Sequence, residues 1–194
     1  MKPIDPSSAA LLLIDVINDF EFPAAKQLMR FALPAAKQLA ILRRKAREAG
    51  MPVIYVNDNF GHWQSDFREQ IERCRSRDCP GHAVASMLTP ERDDYFVLKP
   101  KHSGFYSTSL DVLLGFLGTR TLVLGGFATD ICVIYTANDA YMRDFELVVV
   151  ADGVAAETPS GNKHALEHMK ERLKARVVSA ATIARELGKK RVAR

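Results

Sequence analysis

The chain has 194 residues, enough for one domain with a sizeable core. Apolar residues make up 47% and charged residues 26%, an ordinary globular balance, and no apolar run approaches the length of a membrane span. The formal net charge of +4 comes from dispersed basic residues. Its short clusters, Arg43-Arg44-Lys45 and Lys189-Lys190-Arg191, read as a helix face and a tail, so neither nucleic acid nor a membrane is an expected partner.

The opening segment, Met1 to Ser8, carries two prolines and charge rather than an export pattern, and the cysteine count is odd at three. A cytoplasmic protein with reduced thiols is expected. Ala9 to Ile14 is a continuous apolar run that suits a central strand of a parallel sheet. Asp15 ends it, where open α/β sheets place ligands. A buried carboxylate there is either functional or bonded to local backbone. Pro23 to Ala49 is helical, with a break expected at Pro34, and it repeats Pro-Ala-Ala-Lys-Gln-Leu at 23–28 and 34–39. Gly50 closes it. Pro52 to Asn57 is a second strand, followed by Asp58.

Asn59 to Pro90 is the least regular stretch, with a short amphipathic piece from Ser65 to Cys74 and a polar loop through Pro80 and Gly81. A long excursion between strands is expected to be a lid or a partner surface. Cys74, Cys79 and His82 are zinc-ligand types, but no fourth ligand has matching spacing. Asp94 to Leu98 is a third strand delivering Lys99, and Ser107 or Thr108 caps a helix from Ser109 to Leu117.

Leu122 to Leu124 reads as a buried strand, two glycines turn the chain, and Thr129 and Asp130 are placed to cap a helix running from Asp130 to Arg143. Cys132 then lies in the first turn of that helix, where the dipole lowers a thiol's pKa. A small buried apolar cysteine fits the same position. Glu146 to Ala151, Asn162 to Lys174, Val177-Val178 and Thr182 to Leu187 complete an alternation of strands and helices. The expected fold is α/β: a three-layer sandwich with a mostly parallel, Rossmann-like central sheet, in one domain over 1–194. Gly125-Gly126 is not the glycine fingerprint of a dinucleotide site.

Strand ends on one side of such a sheet bring Asp15, Asp58, Lys99 and Cys132 together. Asp15 would take the thiol proton, Lys99 would hold the charged forms, and the N–H groups of Ala128 and Cys132 would receive an oxyanion. An ion pair beside an inert cysteine is the alternative on spacing alone.

Three segments resemble motifs of the isochorismatase-like cysteine hydrolases, which include nicotinamidases, isochorismatases and N-carbamoylsarcosine-type amidohydrolases. They are Leu11-Leu-Leu-Ile-Asp15-Val-Ile-Asn-Asp19-Phe20, the stretch from Leu98 and Lys99 to Leu110, and Gly125 to Cys132 and Val133. The resemblance covers nearly the whole chain. It implies Asp15 as acid/base, Lys99 as the partner lysine, Cys132 as nucleophile and a cis peptide joining Phe127 to Ala128. It also implies a small-molecule substrate, an amide or carbamoyl compound cleaved through a Cys132 thioester. Vinyl-ether hydrolysis and non-catalytic binding are the alternatives.

Two departures matter. Ile17 stands where the family commonly has glutamine, and Phe60 stands two positions beyond Asp58 where nicotinamidases have a metal-binding histidine, with His62 displaced. No metal and no other cofactor is therefore expected. Phe20, Asn59, Phe60, Trp63, Phe105, Tyr106, Phe127 and Tyr135 are candidate substrate-pocket residues, and Arg68, Lys101 and His102 candidate partners for a substrate carboxylate. The aromatic excursion around Trp63 suggests a contact with a neighbouring subunit, and a homo-oligomer, dimer or tetramer, is expected.

Overall fold

Six apolar residues, Ala9–Ile14, form β1, buried at every position. The computed structural model describes residues 3–59, 61 and 66–189. The later strands are β2 (Val53–Asp58), β3 (Tyr95–Lys99), β4 (Thr121–Phe127), β5 (Glu146–Ala155) and β6 (Arg176–Val178). They form one sheet of order β3-β2-β1-β4-β5-β6. Every pairing is parallel.

The helices are α1 (Ala25–Glu48), α2 (Phe67–Arg75), α3 (His82–Met87), α4 (Leu110–Phe116), α5 (Ile134–Tyr141), α6 (Pro159–Glu171) and α7 (Ala180–Lys189). Alternate strand residues face opposite layers. Leu11, Leu13, Tyr55, Val123 and Val148 pack with α1, α2, α3 and α7. Leu12, Ile14, Val56, Leu124 and Val149 pack with α4, α5 and α6. Two apolar cores thus lie on the two faces of the sheet, the three-layer arrangement expected. Among the described residues no helix is long and apolar enough to cross a membrane.

Several boundaries differ from the sequence reading. α1 runs unbroken through Pro34. The proline is exposed, so the carbonyl it leaves unpaired can be hydrated, while Leu28, Ala32, Ala35, Ala36, Leu39 and Leu42 bury the opposite face. The polar loop at Pro80–Gly81 leads directly into a helix, α3. β5 continues past Asp152-Gly153, because the glycines of β4 let Gly126 pair with Val154 and Phe127 with Ala155 across a register shift. Asp152 caps the last helix instead, its Oδ1 accepting from Ala180 N–H at 2.7 Å.

The sheet order places a topological switch point between β1 and β4. From β1 the chain moves outward through β2 to β3, then returns to β4 on the other side of β1. The loops that leave β1 and β4 therefore part, and a crevice opens between their carboxyl ends.

Candidate active site

Asp15 leaves β1 in the left-handed region, with φ 51°. Its N–H still bonds Val56 O at 2.9 Å, so the strand pairing continues to the residue that departs. Opposite it, Gly126 has φ 122°, and a Cβ there would lie 2.0 Å from Ile14 O. Only glycine lets β4 come this close to the end of β1. The Phe127–Ala128 peptide bond is cis.

The chain then enters a wide turn rather than a regular first helical turn. Ala128 O accepts from Ile131 N–H at 3.2 Å and from Val133 N–H at 3.1 Å, and the π-type turn spans Thr129–Val133. This corrects the capping expected of Thr129 and Asp130. Ala128 is the N-cap, with no side-chain cap bond. Thr129 instead donates to Asn162 Oδ1 of α6 at 2.5 Å, tying the turn to the neighbouring helix. Cys132 lies inside this turn and Ala128 at its start.

Lys99 is fully buried at the end of β3. Its ammonium is 2.9 Å from Asp15 Oδ2, 3.3 Å from Asp58 Oδ2 and 3.5 Å from Cys132 Sγ. Asp15 Oδ1 accepts from Asp58 N–H at 2.6 Å, and the same carboxylate acts on the Cys132 thiol electrostatically. Asp15, Lys99 and Cys132, distant in sequence, are brought together. Asp58, which pairs with Lys99 in the β2–β3 register, joins them. Its position at a strand end was the available signal.

Burial raises the Asp15 carboxyl above its ordinary value, against the pull of Lys99, the thiol and the Asp58 N–H. Burial opposes the charge on Lys99, yet Asp15, Cys132 and Asp58 outweigh it and hold the ammonium above the usual lysine range. Burial also pushes the Cys132 thiol up, and the Asp15 carboxylate adds to this beyond what Lys99 returns. The resting set is carboxylate, ammonium and protonated thiol. That corrects the lowered thiol pKa inferred from a helix start. The sulfur is desolvated and faces a carboxylate, and together these outweigh the neighbouring ammonium.

The expected pocket residues divide. Asn59 is buried next to Lys99, its N–H donating to Lys99 O at 3.0 Å and its Oδ1 accepting from Gly61 N–H. Phe20 is buried with φ 58°, its ring 6.4 Å from that of Phe127. Phe127 itself is core. Phe105 is core too, beneath Phe145 and the Arg143 guanidinium, which stands 4.8 Å from its ring centroid. An aromatic after a strand end packs inward as readily as it lines a cleft. Tyr106 is exposed and makes no ring contact among the described residues. Tyr135 is exposed, its ring 5.5 Å from that of His102. His102 reaches the site, with Nδ1 3.9 Å from Cys132 Sγ. Phe60, His62 and Trp63 lie outside the described residues.

Among the described residues no three His, Cys, Asp or Glu side chains group as a metal set. Cys79 Sγ meets Asp19 O at 3.6 Å and His82 Nδ1 meets Arg75 O at 2.7 Å, so backbone carbonyls occupy two of the groups considered for zinc.

An isochorismatase-domain family model matches residues 9–182. The chain is 37% identical over 177 residues to YaaI of Bacillus subtilis, an uncharacterized isochorismatase family protein, covering 90% of this chain and 95% of that one. It is 38% identical over 183 residues to a ureidoacrylate amidohydrolase, RutB, of Methylorubrum extorquens, covering 80% and 73%. The solved N-carbamoylsarcosine amidase of Thermoplasma acidophilum superposes with a TM-score of 0.70 at 29% identity, over 89% and 96% of the two chains.

Proposed function

The chain belongs to the isochorismatase family, and on that premise we propose that it is a cysteine hydrolase of a small amide or carbamoyl compound that works without a metal. The observation that carries the reading is the contact of one buried ammonium with both a carboxylate and a thiol, Lys99 with Asp15 and Cys132. Two of the similar proteins bear ureido and carbamoyl names and the word amidase or amidohydrolase, which supports the C–N bond as the target.

Asp15 takes the thiol proton as Cys132 Sγ attacks the carbonyl carbon. A carboxyl raised by burial is a stronger base than an ordinary one, so the transfer costs less. Lys99 offsets the charge while it moves from carboxylate to sulfur and then to oxygen. The N–H groups of Ala128 and Cys132 receive the oxyanion. Asp15 gives the thiol proton to the nitrogen as the C–N bond breaks and ammonia or an amine leaves; it then takes a proton from the water that cleaves the Cys132 thioester and returns it to the sulfur.

The test is ammonia release from a panel of N-carbamoyl and primary-amide compounds, with Cys132→Ala as the control. Turnover should fall by about 10⁴-fold or more in the variant, and rapid acid quench of the wild type should trap an acyl adduct on Cys132. Full activity in Cys132→Ala on a substrate found this way overturns the covalent mechanism.

A further inference from the structure

We propose that two copies of this chain join edge to edge through β3, with their α4 helices meeting beside the joined strands.

β3 is an end strand of the sheet, paired with β2 on one side and with no strand on the other among the described residues. Lys99 O accepts from Asn59 N–H on the β2 side. By alternation along the strand, the N–H and C=O groups of Phe96 and Leu98 point away from the sheet. Such a row is a template for a further strand, and proteins that stay single blunt it with charge or proline. The strand itself, Tyr95–Lys99, carries no proline, and its one charge, Lys99, is buried among Asp15, Asp58 and Cys132.

The surface flanking this edge is apolar. Phe96 rests against Phe67 of α2, with ring centroids 5.0 Å apart, yet is 55% exposed. On the other side of the strand, Val112 and Phe116, one turn apart on α4, are 77% and 81% exposed. With Tyr95 and Leu113 they line a shallow groove along β3. Single exposed apolar residues are ordinary, but a contiguous group beside an unpaired strand marks a docking surface.

The occupant is a second copy because the edge complements itself. In an antiparallel pairing centred on Val97, Phe96 lies opposite the partner's Leu98 and the two exchange both backbone bonds. Leu98 and the partner's Phe96 do the same. The two-fold axis then stands perpendicular to the sheet, so like faces stay on like sides. Each α4 meets the other across the axis and buries Val112 and Phe116. The same register sets Asp93, just before the strand, beside the partner's Lys101, just beyond it. Both are exposed, and the symmetry forms this opposite-charge pair twice.

Sedimentation velocity of the full chain across micromolar concentrations should show a species of twice the chain mass. Phe116→Glu should raise the dimer dissociation constant by about 100-fold. Asp93→Lys and Lys101→Asp should each raise it by about 10-fold, and the double reversal should recover most of that loss, because the pair re-forms with its signs exchanged. The rescue separates contact from a fold defect, since two independent defects would add. A monomer at every concentration, an oligomer unaffected by Phe116→Glu, or charge losses that add in the double variant overturns the proposal.

Discussion

Replacing Lys99 by Met should destabilise the protein far more than replacing Asp15 by Asn, although the two side chains form one ion pair. They meet at 2.9 Å with side-chain exposures of 0% and 6%. The direct attraction across that distance is about 6 kcal/mol at an effective dielectric of about 20, and desolvation of the two ions cancels most of it. The pair is therefore worth little as a unit, but breaking it from one side is costly. Lys99→Met leaves the Asp15 carboxylate buried beside Asp58 with no cation, a loss of about 3–5 kcal/mol. Asp15→Asn leaves Lys99 still paired with Asp58 at 3.3 Å, and about 1–2 kcal/mol should go. The double variant removes both buried charges and should recover about 2 kcal/mol of the summed losses. Urea unfolding of the four proteins at pH 7 measures the cycle. The Lys99→Met deficit should also shrink as pH falls. Asp15 then has a raised pKa in the folded state, so the folded chain binds a proton before the unfolded chain does and gains stability through that interval. Additive losses within about 0.5 kcal/mol, or equal losses in the two single variants, would refute the reasoning.

The thiol gives a second check. Because burial and Asp15 hold Cys132 protonated, iodoacetamide should modify it in the free enzyme only above the ordinary thiol midpoint of about 8.5. Asp15→Asn removes the carboxylate and leaves Lys99 beside the sulfur, so the labelling midpoint should move down. A midpoint below 8 in the wild type, or one unmoved in the variant, contradicts the charge assignment. Two glycines make a third. Gly126→Ala forces a Cβ onto Ile14 O at φ 122° and should cost about 3 kcal/mol or more, whereas Gly115→Ala, in α4 with nothing within 4 Å, should stabilise by about 0.5–1 kcal/mol. Similar unfolding midpoints for the two would show that the β1–β4 approach is not tight.

The candidate catalytic side chains were legible because Asp15 and Lys99 close apolar runs that read as strands and Cys132 lies just beyond another. Asp15 ends Ala9–Ile14, Lys99 ends a run after Asp94, and Cys132 follows Gly125-Gly126. The alternation of runs was enough to predict that they converge. What was not legible depends on distances between elements. A thiol near a helix start looks acidified until burial and the neighbouring Asp15 carboxylate are seen to outweigh the ammonium 3.5 Å away. Phe105 follows a strand end as a pocket residue would, and only the packing of Phe145 and Arg143 marks it as core. Pro34 is a helix breaker by type, and the burial along the other face of α1 overrides it. His102 was visible as a polar loop residue but not as a neighbour of Cys132, thirty positions away.

The switch point between β1 and β4 also determines when the candidate site can first exist. Asp15, Lys99 and Cys132 come from the first, third and fourth strands, and the pairing that joins their two halves is between chain segments more than a hundred residues apart. A nascent chain emerging in order builds β1, β2 and β3 with a carboxylate and an ammonium in place, but the thiol arrives only when β4 slots in beside β1. Until then the sulfur and the carboxylate are apart. The candidate site is therefore absent from every partly assembled state, and a chain cut anywhere between residues 99 and 121 separates the sulfur from Asp15 and Lys99.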